Sequence, residues 1–452
     1  MNYEDLQAAA ERDFENHDPS EVLAFLADEH PADIAHHLDE WSSEAGLALL
    51  KRLDVARQAK VFGYLDDERQ LEWAEQLPSE ALVELVSEMN ADERADLVAE
   101  FPETLQQLLY GKLEREEAED IQRLVAYEEE TAGAIMTSDV VSLHDRMTVQ
   151  EALDSLRDQA PDSETIYRAY VVDDHDHLVG AIRLQNLIFA RRDRPITELM
   201  ESNALAVHVT DDQEEVAKQI AKYDILAVPV VDDDDRLVGM ITHDDALDVV
   251  QDEATEDIHS FGAVSDLPIS VRDAPLTTMY RKRIGWLILL VFGALFSSGG
   301  IAYFEDTISA YVALVFFLPM LIGSAGNAGS QAATLMVRAL ALGDVQIKDW
   351  GIMIGRELLV ALALGVTMAL AVSSIGIFRG GPDVAIVVAA TMLIVVIFGS
   401  LLGMSLPFVL QQLKVDPATA SAPLVATMAD AGGVIIYFGI ATMVLGLPAS
   451  PA

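Results

Sequence analysis

The chain contains no cysteine, so disulfide frameworks, thiolate nucleophiles, zinc–thiolate centres and iron–sulfur clusters are all excluded. Any metal it holds must sit on oxygen or imidazole. Positive charge is scarce: 29 Lys and Arg, only 8 of them Lys, stand against 74 Asp and Glu, for a net charge of -45. That balance excludes a nucleic-acid binder that works by phosphate neutralisation and makes cations the natural partners. Catalytic motifs are missing too: no nucleophile–base pair and no phosphate-binding loop stands at a convincing spacing, which argues against an enzyme. The polar, acidic start, MNYEDLQAAAERDFENHD, lacks the apolar run of a cleavable signal peptide.

What the chain has is sharply segregated. Hydrophobic residues make up 51% and charged ones 23%, a mixture unlikely for one uniform soluble protein of 452 residues. Before Ile284 there are 24 basic and 66 acidic residues, net -42; from Ile284 onward there are 5 and 8, net -3. The second part reads as five apolar spans: Ile284 to Phe304, Ile308 to Leu335, Ile352 to Phe378, Val384 to Leu410 and Ser421 to Leu447. Each is long enough to cross a hydrocarbon layer of about 30 Å, which takes about 20 helical residues. Arg281, Lys282, Arg283, Arg338, Lys348, Arg356 and Lys414 fall on one side of these spans and only Arg379 on the other. The positive-inside bias therefore predicts a cell-membrane protein with its N-terminal part cytoplasmic and its C-terminus outside.

The soluble part carries two repeats. Helix breaks recur at Leu53-Asp54, Leu65-Asp66, Leu77-Pro78, Met89-Asn90 and Phe101-Pro102, a constant step of 12 residues. That spacing predicts a helical solenoid in which Asp, Asn or Ser at each break caps the next short helix. Further on, Val171-Val172-Asp173-Asp174 leading to Leu178-Val179-Gly180-Ala181-Ile182 recurs 59 positions later as Val230-Val231-Asp232-Asp233 leading to Leu237-Val238-Gly239-Met240-Ile241. Met136 to His144 matches Met200 to His208 at an offset of 64, so the copies differ by an insertion around Ala160 to Thr165. Each copy reads as strand, turn, strand, helix. The pair resembles tandem CBS domains, which implies either a ligand-sensing pair, with an adenine nucleotide as its ligand, or a dimerisation scaffold.

In the spans the informative residue is Asp430, at mid-depth in the last one, where a charge costs a few kcal/mol and needs a reason. Glu305, Asp306, Arg356, Glu357, Asp383 and Asp416 read as lying at or near span ends. Ala426, Thr427 and Gly433 share the helical face of Asp430 and leave room for a hydrated ion. In the second span Pro319 precedes Gly323-Ser324-Ala325-Gly326-Asn327-Ala328-Gly329-Ser330-Gln331, a run that must pack tightly or break. Asn327 and Gln331, four apart, could offer amide oxygens to a polar lumen, or the run could be a small-residue packing seam. Magnesium gives up its water reluctantly and suits a site with few carboxylates, whereas no span contains a His for a transition metal.

Three segments, LPMLIGSAGNAGSQAATL from Leu318, DPATASAPLVATMADAGG from Asp416 and DDALDVVQDEATEDIHSFGAV from Asp244, closely resemble the MgtE-type magnesium channels and transporters. The resemblance covers nearly the whole chain. It implies residues 1-130 as an acidic helical N domain, 131-252 as a tandem CBS pair, 253-283 as a connecting, plug-like helix and 284-452 as a five-helix transmembrane domain. The implied fold class is thus multidomain: an all-α solenoid, an α/β CBS pair, a connecting helix and an all-α membrane bundle. It implies a homodimer in the lipid bilayer, with Asp430 binding Mg²⁺ at the dimer axis and Ala426, Thr427, Asn327, Gln331 and Asp416 as candidate pore-lining positions. Feedback by cytosolic Mg²⁺ is implied at Asp245, Asp248, Glu253, Glu256 and Asp257, with Asp92 and Asp96 as looser matches in the solenoid. Runs such as Asp232-Asp233-Asp234-Asp235 also fit a surface adapted to high salt. Two other functions share these features: a divalent-cation carrier coupled to Na⁺ or H⁺, and a membrane regulator whose CBS pair senses nucleotide.

Overall fold

A computed structural model of the chain describes residues 26, 29–159, 165–265 and 274–446. Most of the expected insertion at 160–165 and the Leu447 end of the last span lie outside the described residues. The chain divides into two compact units, Met1–Gln251 and Asp252–Ala452.

The first unit begins with the solenoid. Its described helices are α1 (Pro31–Glu40), α2 (Ser43–Leu50), α3 (Val55–Gly63), α4 (Asp67–Gln76), α5 (Ser79–Ser87), α6 (Ala91–Ala99), α7 (Glu103–Tyr110) and α8 (Arg115–Leu124), whose starts keep the step of 12. The repeat is held by what each break buries: Trp41, Leu53, Leu65, Met89, Phe101 and Leu113 are at most 9% exposed, one apolar plug per turn. Each plug contributes about 1.5–3 kcal/mol by leaving water. Capping contributes less than the sequence predicts. Asp54 accepts the Arg57 N–H at 3.0 Å, but Ser42, Asp66 and Asn90 make no cap bond and Pro78 and Pro102 fill two cap positions. Packing against the helix two places on, α3 on α1, α5 on α3 and α6 on α4, holds these turns without the caps.

The CBS pair follows as two three-stranded sheets: β1 (Ser142–His144), β2 (Arg168–Val172) and β3 (Leu178–Arg183), then β4 (Val207–His208), β5 (Ala227–Val231) and β6 (Leu237–Thr242). In both, the first strand runs parallel to the second and the second antiparallel to the third. The first sheet carries α9 (Val149–Gln159) and α10 (Leu184–Phe189); the second carries α11 (Gln213–Tyr223) and α12 (His243–Phe261). The copies exchange their leading segments. A Cβ on Gly239 would stand 2.6 Å from the Thr137 carbonyl of the first copy, and one on Gly180 would stand 2.9 Å from the Glu201 carbonyl of the second. Glycine is what allows both approaches. The residues predicted as a connecting helix, 253–283, comprise the last turns of α12 and the first turns of α13 (Leu276–Tyr303), with 266–273 outside the described residues.

The second unit is helical: α13, the short α14 (Glu305–Ala310), α15 (Ala313–Ala341), α16 (Trp350–Gln412) and α17 (Ala422–Leu445). Among the described residues, four helices are long and apolar enough to cross a membrane. The difference from five predicted spans lies in α16. At 63 residues it would be about 95 Å long if straight, about three bilayers. It turns at Gly381 (φ 79°, ψ -177°), followed by Pro382, a backbone state only glycine reaches without strain. The two arms pack against each other, since a Cβ on Gly376 would touch Ala385 and one on Gly365 would touch Leu393. The arms are therefore the third and fourth spans of a helical hairpin. Pro319 does not interrupt α15, which is continuous through its small-residue run.

Candidate functional site

Carboxylates mark two places, one in each unit. In the membrane unit α17 starts where Ser421 accepts the Leu424 N–H at 3.4 Å, one turn after Asp416 caps the Ala418 N–H at 2.8 Å. Asp416 is thus tied to the loop backbone. Two turns up α17, Asp430 is half-buried. The helix facing it is α15 at Gly326, where a Cβ would lie in ordinary contact, 3.8 Å from Asp430 Oδ1 and 3.4 Å from the Ala426 Cβ. Further along the same contact, Ser330 Oγ donates to the Ala422 carbonyl at 3.3 Å.

The run on α15 is a packing seam on its other side as well. A Cβ on Gly399 would collide with the Ala325 carbonyl, and one on Gly403 with the Gly329 carbonyl, so the fourth span lies backbone to backbone on α15. Asn327 and Gln331 stay exposed beside this seam, one residue along from Gly326 and Ser330. Thr427 is turned elsewhere: its methyl faces Gly293 of α13 and its hydroxyl donates to the Pro423 carbonyl at 2.8 Å. The structure therefore brings Asp430 and Ala426 together against Gly326, leaves Asn327 and Gln331 on the adjoining open face, and sets Thr427 and Asp416 apart. No Lys or Arg occurs in α17, and no ion pair reaches Asp430 among the described residues. Glu357, read as lying near a span end, stands early in α16. Its carboxylate accepts a hydrogen bond from Ser400, which is 1% exposed and adjoins Gly399 on the seam, so it reaches inward along the hairpin.

In the first unit the acids meet where α6 lies on α12. Ala91 and Ala95 belong to the same buried cluster as Ala246 and Val249, and these small contacts let the helices close. Asp92, Glu93 and Asp96 then crowd Asp245, with Asp244, Asp248, Asp139 and Asp67 around them. The cost is visible in their protonation. Loss of hydration first and neighbouring carboxylates second push Asp92 up to about 6 and Glu93 and Asp96 up to about 7. Asp245 and Asp248 are raised for the same leading reason, although Asp245 also accepts from the Thr242 N–H at 3.2 Å and hydroxyl at 2.5 Å. Asp92 Oδ1 is buried with no hydrogen-bond partner. An orphaned anionic oxygen among carboxylates wants a cation, and an all-oxygen donor set suits a hard divalent one. The described residues contain no ready-made cluster of three or more metal-ligating side chains, so an ion here must draw the helices together or keep much of its water.

Glu93, Asp139 and Asp67 were not singled out from the sequence. In the structure Glu93 lies against Gly63, where a Cβ would stand 2.5 Å from its carboxylate, a proximity that no sequence pattern signals. Glu253, Glu256 and Asp257 lie on the later turns of α12, in the second unit. A separate cavity in the CBS pair is lined by Thr165, Tyr167, Arg168, Arg183 and Asp224 through Ala227, combining an exposed aromatic ring with two guanidinium groups.

A bundle of apolar helices with one mid-depth carboxylate, joined to an acidic solenoid and a CBS pair, defines a membrane protein with a soluble N-terminal half. The comparisons narrow this class. Residues 318–440 match the MgtE divalent cation transporter family, 29–130 the MgtE intracellular N domain, and 132–193 and 196–252 the CBS domain. The chain is 37% identical over 446 residues to the magnesium transporter MgtE of Thermus thermophilus, covering 98% of this chain and 99% of that one. It is 34% identical over 413 residues to the magnesium transporter MgtE of Bacillus subtilis, covering 91% of each. Among solved structures it resembles the soluble part of a magnesium transporter (34% identity, TM-score 0.52, 56% of this chain and 100% of that one). It also resembles the cytosolic domain of the Mg²⁺ channel MgtE in complex with ATP (36% identity, TM-score 0.51, 54% of this chain and 99% of that one). The chain belongs to the MgtE family of divalent cation transporters.

Proposed function

We propose that two copies of the chain form a Mg²⁺ pore whose selective element is the pair of Asp430 carboxylates, and that cytosolic Mg²⁺ bound at the α6–α12 cleft closes it. The observation that carries the pore is Asp430 itself: a carboxylate at mid-membrane, set against Gly326 and without a cationic partner among the described residues. Such a group is too costly to keep as packing. One carboxylate per subunit binds a hydrated divalent ion without stripping it, so the ion can leave again, and Asn327 and Gln331 supply neutral dipoles beside it. The seam around it, open on one side in a single chain, becomes a lumen when a second copy faces it.

The gate follows from the cleft. Carboxylates with raised pKa values repel one another when ionised, so the docked arrangement is strained at neutral pH. A divalent cation on Asp92, Asp96, Asp245 and Asp248 removes that strain, and its preference for the docked state shifts the equilibrium toward closure. Glu253, Glu256 and Asp257 extend this acidic face along α12. The cavity with Tyr167, Arg168 and Arg183 has the ring and the cations to hold an adenine nucleotide. The large soluble half is cytoplasmic and the C-terminus outside.

Reconstituted liposomes test the pore. Mg²⁺ flux through wild type is expected, with Asp430→Ala and Asp430→Asn inserting and dimerising normally but losing nearly all of it. Wild-type flux through correctly inserted Asp430→Ala overturns the assignment. Flux that requires an opposing Na⁺ or H⁺ gradient, and no unitary currents, would replace the pore by a coupled carrier.

A further inference from the structure

We infer that Arg94, Asp120 and Ser138 form a clasp that holds α6 over the acidic cleft and so sets how much Mg²⁺ the cleft needs to close. Arg94 is 9% exposed, a rare depth for a guanidinium in this chain, and it stands on the same helix as Asp92, Glu93 and Asp96. Its charge is nevertheless directed away from them. Nη2 donates to Asp120 Oδ2 of α8 at 3.0 Å, and the same oxygen accepts from Ser138 Oγ at 2.6 Å. Arg123 Nη2 reaches the other carboxylate oxygen, Oδ1, at 2.5 Å. Asp120 thus has three donors and joins α6, α8 and the segment that follows the solenoid.

That segment is itself anchored. The residue before Ser138, Thr137, exchanges both backbone hydrogen bonds with Met240 of β6, at 2.9 and 3.0 Å, two residues before Thr242, which holds Asp245. A continuous path therefore runs from Arg94 through Asp120 and Ser138 to the strand that positions Asp245. The charges acting on Asp92 are carboxylates, Asp245 foremost and then Asp139. Arg94 thus acts on the cleft by position: it fixes α6 and leaves the carboxylates un-neutralised for an ion. A buried charge-assisted pair of this kind is strongly coupled to its surroundings, because removing one partner strands the other. Its Nε has no partner, so the clasp rests on the single Asp120 contact.

This inference rests on the reading of the cleft as a Mg²⁺ sensor, and the experiment keeps the two apart. Amide hydrogen exchange of α6 is followed in the full-length protein in nanodiscs, at fixed pH and ionic strength, against added Mg²⁺. Wild type should gain protection with Mg²⁺. Arg94→Gln should need on the order of tenfold more Mg²⁺ for half protection, about 1.4 kcal/mol of lost pre-docking. Ser138→Ala, which leaves the ion pair and the fold in place, should shift the midpoint the same way by a few-fold. Arg94→Lys should recover part of the Gln shift. A merely structural Arg94 would lower the melting temperature while leaving the Mg²⁺ midpoint of folded protein unchanged. Wild-type curves without Mg²⁺ dependence would remove the sensor reading itself. Wild-type dependence with superimposable Arg94→Gln and Ser138→Ala midpoints would remove only the clasp.

Discussion

The two units handle carboxylates in opposite ways. The membrane unit sets one, Asp430, beside Gly326, in no cluster of three or more metal-ligating side chains among the described residues. The soluble unit crowds at least four, Asp92, Glu93, Asp96 and Asp245, into one cleft, where burial first and then charges that include Asp92 and Asp245 raise Glu93 and Asp96. A lone carboxylate binds a hydrated cation weakly enough to release it, whereas a crowded set gains more from an ion than from water and changes shape around it. The same ion can therefore be passed by one unit and sensed by the other.

The comparison breaks most readily at the seam. Gly403→Val puts a branched side chain into the Gly329 carbonyl, a backbone atom that cannot turn aside. A loss of about 3 kcal/mol or more is expected, read as loss of folded bundle in detergent while the soluble unit melts normally. The cleft gives the next effect, and it depends on pH. Its acids have raised pKa values when docked, so docking is fully favoured below their ordinary range near 4 and is lost as pH rises through about 6 to 7. The shift of Asp92 from 3.8 to about 6 is worth on the order of 2–3 kcal/mol. Spin labels on α6 and α12 without divalent cations should report one short distance at pH 5 and a broad, longer one at pH 8, with Mg²⁺ restoring the short one. A distance that ignores both pH and Mg²⁺ would end the sensor reading. The smallest effect lies outside both sites: Asp54→Ala removes the side-chain cap of α3 and should cost the solenoid about 1 kcal/mol in chemical denaturation, with no change in Mg²⁺ response.

Periodicity made much of this fold legible in sequence. The step of 12, the paired CBS segments and the apolar runs all repeat or persist over many residues, so local pattern and final structure agree. Gly381 is a clear instance: the gap between Phe378 and Val384 was readable, and the non-helical backbone at Gly381 falls inside it, parting the two spans. The exchange of leading segments across Gly180 and Gly239 was not readable, because each contact joins residues far apart in sequence. Asp430 stood out because its surroundings are apolar. Glu93 did not, because in a chain this acidic burial alone distinguishes it from its neighbours. The hydrogen bond between Glu357 and Ser400 was not readable either, because it joins residues far apart in sequence.

The central claim, that the soluble carboxylates sense the ion the membrane carboxylate passes, is tested most directly by conduction against cytosolic Mg²⁺ at constant ionic strength. Wild type is compared with a variant carrying Asp92→Ala, Asp245→Ala and Asp248→Ala. Alanine supplies no ligand, so the variant keeps no means of responding to the ion. The wild-type current should fall steeply as cytosolic Mg²⁺ rises through the millimolar range, and the variant should give a flat curve. Superimposed curves would mean that these carboxylates are solvated surface with no part in gating.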